Sequence, residues 1–327
     1  MLDGSRCYIT GYIKVLGFDE EGVFAKALPV REATVWVTAN GHDLPAVLAG
    51  PDGKYTAYDT YDNTPPATVN ILVAASCSAY YVMPPGAAGP AQAYSVSATG
   101  VTNHIEAWTA GQSGYDVFIG GPAENGGVQA GATTVINAFR AYTLTYTFRA
   151  FATSPSGLGA QLNDRLAIQF PYAKAVDQFG SSPPTIYLTT AFIQYPEYLG
   201  HEFGHFVSYE ASLGYSPGGP HAANYNGRYY LYNAGPPVVS QSGNLQSLSL
   251  PIEQRAFQEG WADVFAVWAV TWAVANQLPF VTLWQPGSSY SPQTATMRAE
   301  GEHALLELGP ILPPAEAQAT SFMEVQP

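Results

Sequence analysis

The chain has 327 residues, enough for two ordinary domains, and 47% of them are hydrophobic, enough for a sizeable core. Only 11% are charged, and 25 acidic against 12 basic side chains give a net charge of −13. This balance argues against intrinsic disorder, and against nucleic acid or an anionic membrane surface as a partner, since those partners need clustered basic residues. The most apolar run, Val264–Ala275, is shorter than the roughly 18 residues of a membrane span.

The first part of the chain contains short runs of β-forming residues separated by turn signals. The clearest runs, in chain order, are Cys7–Val15, Ala33–Ala39, Val69–Ala75 and Tyr80–Met83. Asn40-Gly41 is typical of a two-residue hairpin turn. Strands of this length and spacing predict an all-β sandwich, which we place at residues 1–95.

Helical periodicity begins after a segment rich in glycine and proline. A linker signal lies at 84–90, and we expect residues 96–130 to form a linker or extension. From Thr133 onward, apolar residues recur with a period of 3.6, which predicts a helix. Further helices are predicted at 196–213 and 249–276, and strands at 166–170 and 185–189. We therefore expect residues 131–327 to form an α+β domain.

Three segments of the first part carry a resemblance to a known module. They are Gly11-Tyr12-Ile13, Ala33-Thr34-Val35-Trp36-Val37 and Asp52-Gly53-Lys54-Tyr55. In this order they resemble the carboxypeptidase regulatory-like, or transthyretin-like, β-sandwich over about ninety residues. The resemblance implies two packed sheets and suggests self-assembly through the module. Cys7 and Cys77 fall on its first strand and a late strand, which suits both a cross-sheet disulfide and two buried free thiols.

The segment most informative about chemistry is Leu199–Phe206, which contains the pattern His-Glu-x-x-His. Residues four apart share a helix face, so His201 and His205 can direct their rings to one point. Neutral imidazoles suit Zn²⁺, at about 2.0–2.1 Å per nitrogen. Glu202 lies about 100° around the helix from His201. Its carboxylate is then beside the metal, where it can accept a proton from an activated water.

A catalytic zinc site needs three protein ligands and one open position. The metzincin pattern, which takes its third ligand from a later histidine, is excluded, because Ala211 and Ser208 stand where it needs histidine and glycine. A glutamate from another helix is the other solution, and Glu259 supplies it. Asp263 follows four residues later on the same face, where it can accept the free N–H of a ligand histidine and fix its orientation.

The segments His201–His205 and Glu259–Asp263 resemble the gluzincin metallopeptidases, the broad thermolysin- and fungalysin-like group. The resemblance covers roughly residues 131–310. It implies that His201, His205 and Glu259 are zinc ligands. It also implies that Glu202 is the general base and that Asp263 orients a ligand histidine. It also implies that the strand at 185–189 is the edge strand that aligns the substrate beside the active-site helix.

The chain departs from that group in the 54 positions that separate His205 from Glu259, a longer interval than in thermolysin. This interval is rich in Gly, Pro, Asn and Tyr, and we expect it to form a surface excursion over the cleft. Such enzymes also need a donor for the developing oxyanion. The candidates, among which the sequence does not choose, are His221, Tyr229, Tyr230 and His303.

These observations predict a zinc-dependent hydrolase that cleaves peptide bonds in a protein or peptide substrate, with no membrane span. Ordinary structural roles stay open as alternatives. The two histidines can pack on a helix face with a salt-bridging glutamate. Glu259 can be a buried carboxylate at a helix start, and Asp263 a buried hydrogen-bonding residue.

The alternative function is an extracellular structural or adhesive protein that carries a relic metallopeptidase domain. High Tyr and Gly content and low charge favour such a protein, and they favour an extracellular or cell-surface location for either function. Residues 1–6 contain no apolar segment typical of a signal peptide.

Overall fold

The computed structural model describes residues 7–17, 27–59, 68–99, 112–121, 127–128, 133–174, 177–190, 197–212 and 250–278. This part of the chain is mixed, with about 31% helix and 34% strand. The strands are β1 (Cys7–Leu16), β2 (Ala27–Pro29), β3 (Thr34–Ala39), β4 (His42–Asp43), β5 (Val47–Leu48), β6 (Lys54–Asp59), β7 (Val69–Ala74), β8 (Tyr80–Met83), β9 (Ser95–Thr99), β10 (Gln112–Gly114), β11 (Val117–Ile119), β12 (Gly127–Val128), β13 (Leu166–Gln169), β14 (Gln178–Ser181) and β15 (Pro184–Tyr187). The helices are α1 (Thr133–Thr153), α2 (Glu197–Glu210) and α3 (Leu250–Ala275), with a short 3₁₀ turn at Pro90–Gln92.

The first sheet is built around β1. The N-terminal half of this strand pairs antiparallel with β6 and parallel with β10, and its C-terminal half pairs parallel with β11 and antiparallel with β2. β12 pairs in parallel with β11. Successive side chains of a strand face opposite sides. Ile9, Ile13 and Val15 therefore share one face, and all three are fully buried.

The second sheet is antiparallel, with strand order β4-β3-β7-β9 and β5 paired to β3. The predicted Asn40-Gly41 turn is confirmed, since β3 and β4 form a hairpin in which Ala39 pairs with His42. Both turn residues have positive φ, 48° at Asn40 and 83° at Gly41, as a type I′ turn requires. Val35 and Val37 face the core from β3.

The third sheet has strand order β14-β15-β13-β8. β8, β13 and β15 are parallel to one another, and among the described strands β14 lies at the edge, antiparallel to β15. Cys77, which lies three residues before β8, is a buried free thiol. The side chain of Cys7 lies outside the described part of the structure.

The predicted fold class, an all-β N-terminal sandwich followed by an α+β domain, is wrong. Strands from the first 95 residues pair with strands far beyond them: β8 with β13, and β1 with β10 and β11. One hydrophobic cluster extends from Ile9 to Ala273. The physical reason is that residue alternation identifies a strand but carries no information about its partner, which only the assembled chain decides. The boundaries at residues 95 and 130 stay a prediction.

The three predicted helices are confirmed and pack together through aromatic rings. Phe203 of α2 stacks on Phe265 of α3, with ring centroids 5.7 Å apart. Phe148 of α1 approaches both rings, at 6.1 and 6.3 Å. These three side chains are almost fully buried, so the aromatic cluster ties α2 and α3 to α1. Of the described helices, none combines the length and apolarity needed to cross a bilayer.

Helices α2 and α3 approach each other closely at two glycines. A Cβ atom on Gly204 would lie 2.8 Å from the Cα of Ala262, and one on Gly200 would lie 3.0 Å from the Cβ of Ala266. The residue numbers run in opposite directions along the contact, so the two helices are antiparallel. Glycine at these positions permits the short distance between the helices.

We expect Gly204→Ala to destabilise the protein, although alanine is the better helix former by about 1 kcal/mol. The added methyl group meets backbone atoms of α3, which cannot rotate away, and such overpacking costs about 1–3 kcal/mol. The free energy of unfolding, measured with urea, should therefore fall. The matched control is Gly89→Ala, whose Cβ meets nothing within 4 Å. A Gly204→Ala protein more stable than wild type would contradict this close packing.

Candidate metal centre

The two histidines of the motif converge on one face of α2. Their Nε2 atoms are 3.1 Å apart, and their rings are nearly perpendicular, at 87°. Two nitrogens at about 2.0–2.1 Å from one tetrahedral ion lie about 3.3–3.4 Å apart. The observed separation of His201 and His205 therefore fits a shared Zn²⁺, and it also suits a hydrogen bond between the two rings.

Glu202 is a buried carboxylate between this histidine pair and the third sheet. Its side chain is only 7% exposed. On the helix it shares a face with Phe206 and Tyr209, which lie four and seven residues later. Both of these rings pack against Phe179 of β14, at centroid distances of 6.1 and 5.9 Å. Glu202 therefore lies on the side of α2 that faces the edge strand.

The edge strand beside α2 is β14, and the expectation that the strand at 185–189 has this position is wrong. That strand, β15, pairs with β13 on one side and with β14 on the other, so it is an inner strand. The chain reverses direction after β14, so that β14 pairs with the side of β15 that faces away from β13. The sequence patterns predict β15 but no strand at 178–181, and they do not give the order of strands in a sheet.

Asp177 is a carboxylate near the motif that sequence reasoning missed. Both of its oxygens accept hydrogen bonds from Thr189, one from the backbone N–H and one from the hydroxyl at 3.3 Å. Burial raises the pKa of Asp177, while the hydrogen bonds from Thr189 and the charge of His201 oppose that rise. In the sequence its one distinguishing feature is that it precedes a strand in a segment with few charges.

Glu259 and Asp263 both lie on α3, and their side chains are outside the described part of the structure. Their helix positions follow from the antiparallel contact. Gly204 meets Ala262, and Gly200 meets Ala266. Position 259 is almost one turn before Ala262, so it lies level with residues 207–208 of α2. Position 263 lies level with residue 203, between the two histidines along the helix axis.

The described side chains include no cluster of three or more His, Cys, Asp or Glu residues that could hold a metal ion. This set contains His201 and His205 but neither Glu259 nor Asp263. The candidate oxyanion donors also lie outside the described residues; they are His221, Tyr229, Tyr230 and His303. The structure thus brings the two histidines together and leaves the roles of Glu259 and Asp263 as predictions.

Comparison of this chain with known protein families, with curated proteins and with solved structures finds no match.

We expect Asp177 to make stability depend on pH in a defined direction. Its pKa is raised in the folded chain and has the ordinary value, 3.8, in the unfolded chain. As pH rises, the unfolded chain therefore loses this proton first. The contribution of protonated Asp177 to stability is complete below about pH 3.8 and is lost as pH rises through the raised folded pKa.

The measurement compares urea unfolding of the wild type and Asp177→Asn across this pH range. Asparagine keeps an oxygen that can accept the Thr189 N–H but does not titrate. The stability of the wild type relative to the variant should fall as pH rises through the window and then level off. A difference that rises with pH would contradict the assigned direction.

Proposed function

We propose that this protein is a zinc-dependent hydrolase of peptide bonds. The observation that carries the proposal is the 3.1 Å separation of the His201 and His205 Nε2 atoms, which fits two nitrogens on one tetrahedral ion. The level of Glu259 on α3 supports it, because position 259 lies opposite residues 207–208 of α2, less than one turn beyond His205. Position 263 lies level with residue 203, between the two histidines along the helix axis. This level suits the proposed role of Asp263, which is to accept a hydrogen bond from the second ring nitrogen of a ligand histidine.

The burial of Glu202 supports its role as general base. Glu202 is only 7% exposed, so its carboxylate loses much of its hydration. This loss costs free energy unless hydrogen bonds or an opposite charge compensate for it. In the proposed reaction, Glu202 accepts a proton from the attacking water and transfers it to the departing amine nitrogen. Zn²⁺, when bound, supplies polarisation of the scissile carbonyl and activation of water. Both proton transfers need Glu202 within hydrogen-bond reach of the reacting atoms.

The edge strand β14 supports an extended peptide as the substrate. An edge strand presents unpaired backbone N–H and C=O groups, and an extended peptide can pair with them as an additional strand. β14 is partly exposed along its whole length and packs on α2 through Phe179. A peptide on this edge would run past the face of α2 that carries Glu202.

We expect the purified protein to bind about one Zn²⁺ per chain, as three protein ligands and one open position predict. His205→Ala removes a ligand, so its zinc content should fall to about a tenth or less of wild type after dialysis. His42→Ala, a change at an exposed position of the β3–β4 hairpin, is the matched control. Elemental analysis measures the zinc. Equal zinc in wild type and His205→Ala would contradict the metal site.

We expect Glu202→Gln to retain zinc and to lose hydrolysis. Glutamine has nearly the same shape but cannot accept the proton, and general-base catalysis contributes about 10²–10⁴-fold. Casein cleavage with a chelator control measures the rate. The matched control is Glu210→Gln on the same helix, which keeps an oxygen for the backbone N–H groups of Asn163 and Asp164. Casein cleavage at the wild-type rate by Glu202→Gln would show that the base is another group.

A wild-type protein that binds zinc but cleaves no casein or other peptide would favour the alternative, a structural or adhesive protein with a relic site. The extracellular or cell-surface location stays a prediction for both functions.

A further inference from the structure

A cavity of about 200 Å³ lies on the side of α2 that faces away from the histidine pair. Phe203 and Phe206 line this cavity, and they lie about 200° and 140° around the helix from His201, whereas His205 lies only about 40° from it. The other walls come from the start of β8, the C-terminal part of α1 and the segment that leads into β13. The cavity is therefore separate from the candidate metal centre, and the proposed reaction does not use it.

The inner part of the cavity is formed by buried aromatic and aliphatic side chains. Tyr80, Leu166, Phe203 and Phe206 line it, and each is at most 2% exposed. A cavity of about 150 Å³ with apolar walls holds one benzene molecule. A cavity of about 200 Å³ therefore has room for a group somewhat larger than one aromatic ring. Aromatic walls favour an aromatic group, because offset and edge-to-face ring contacts add to the area that is buried.

The mouth of the cavity is polar and carries one charge of each sign. Ser78, Asn163 and Asp164 line the cavity and are exposed. Arg149 also lines it, and its side chain is 32% exposed. A ligand in this cavity would therefore have its apolar end inside and its polar end between a guanidinium and a carboxylate.

Both charged residues are held on fixed elements of the fold. The backbone N–H groups of Asn163 and Asp164 donate hydrogen bonds to Oε2 of Glu210, which ties this segment to α2. On α1, Nη1 of Arg149 is 3.7 Å from Oε2 of Glu32, a distance that orients the guanidinium but exceeds that of a hydrogen bond. The N–H groups of Arg149 are thus available to a ligand, and little ordering is needed when the ligand binds.

We propose that this cavity binds a free α-amino acid with an aromatic side chain. The ring occupies the inner part, the carboxylate accepts hydrogen bonds from Arg149, and the ammonium group pairs with Asp164. The two charges of such a ligand match the two charges of the mouth, so neither is buried without a partner. The site uses neither the zinc ligands nor Glu202, and the inference therefore does not depend on the proposed function.

The first test is calorimetric titration of the full chain with L-phenylalanine. A chelator is present throughout, because an amino acid can also bind zinc. We expect a dissociation constant of about 1 mM or lower. L-Phenylalaninamide lacks the carboxylate and 3-phenylpropanoate lacks the amine, so each should bind at least about tenfold more weakly. A dissociation constant above about 10 mM for L-phenylalanine overturns the proposal, and so does equal affinity for the three compounds.

The second test assigns the two charged contacts with Arg149→Gln and Asp164→Asn. In Arg149→Gln, L-phenylalanine should lose its advantage over the amide, because the partner of the carboxylate is gone. In Asp164→Asn it should lose its advantage over 3-phenylpropanoate. Each comparison is made within one protein, so a change in stability does not affect it.

The matched control is Lys54→Gln, which removes a charge at an exposed position of β6 away from the cavity lining. It should bind L-phenylalanine as the wild type does. An affinity for L-phenylalanine within about twofold of wild type in both Arg149→Gln and Asp164→Asn would show that the amino acid binds elsewhere, and the proposal would fail.

Discussion

The close antiparallel contact of α2 with α3 is the constraint on which the candidate site depends. Gly200 and Gly204 remove the side chains that would otherwise separate the helices, and the Phe203–Phe265 stack completes the interface. This contact sets the register between two segments that lie more than fifty residues apart in the chain. Without a fixed register, the histidines of one helix and the acidic residues of the other would have no defined geometry, and a metal site tolerates little error in position.

The elements around this helix pair have different roles. In the proposed metal site, α2 carries the histidine pair and Glu202, while Glu259 and Asp263 lie on α3 level with residues 207–208 and 203 of α2. The third sheet supplies an edge strand and, just before it, Asp177. The chain has only 11% charged residues, and among the residues that the structure describes Glu202 is a buried carboxylate and Asp177 a partly buried one. Perturbed or buried carboxylates concentrate at functional sites, because their cost has to be offset by a charged partner or by hydrogen bonds.

The sheets show why local patterns were insufficient for the fold. β8 has the composition of a strand and follows other strands in sequence, which favoured a sandwich confined to the first 95 residues. Its partner is β13, more than eighty residues later. β1 likewise has neighbours on both sides from distant segments. A parallel pair needs a long connection, and nothing in either strand alone specifies which connection is used.

The sequence by itself determined the existence of the three helices, the Asn40-Gly41 hairpin and the helix-face pairing of His201 with His205. Each of these depends on contacts within a few residues, so periodicity and turn chemistry are sufficient to predict it. Only the tertiary structure decided the strand partners, the position of β14 at the sheet edge, the nearness of Asp177 to His201 and the cavity beside Phe203 and Phe206. These features depend on packing between segments that are distant in the chain. Which segments pack together decides which polar groups are buried and lose their hydration, and no local pattern specifies that choice.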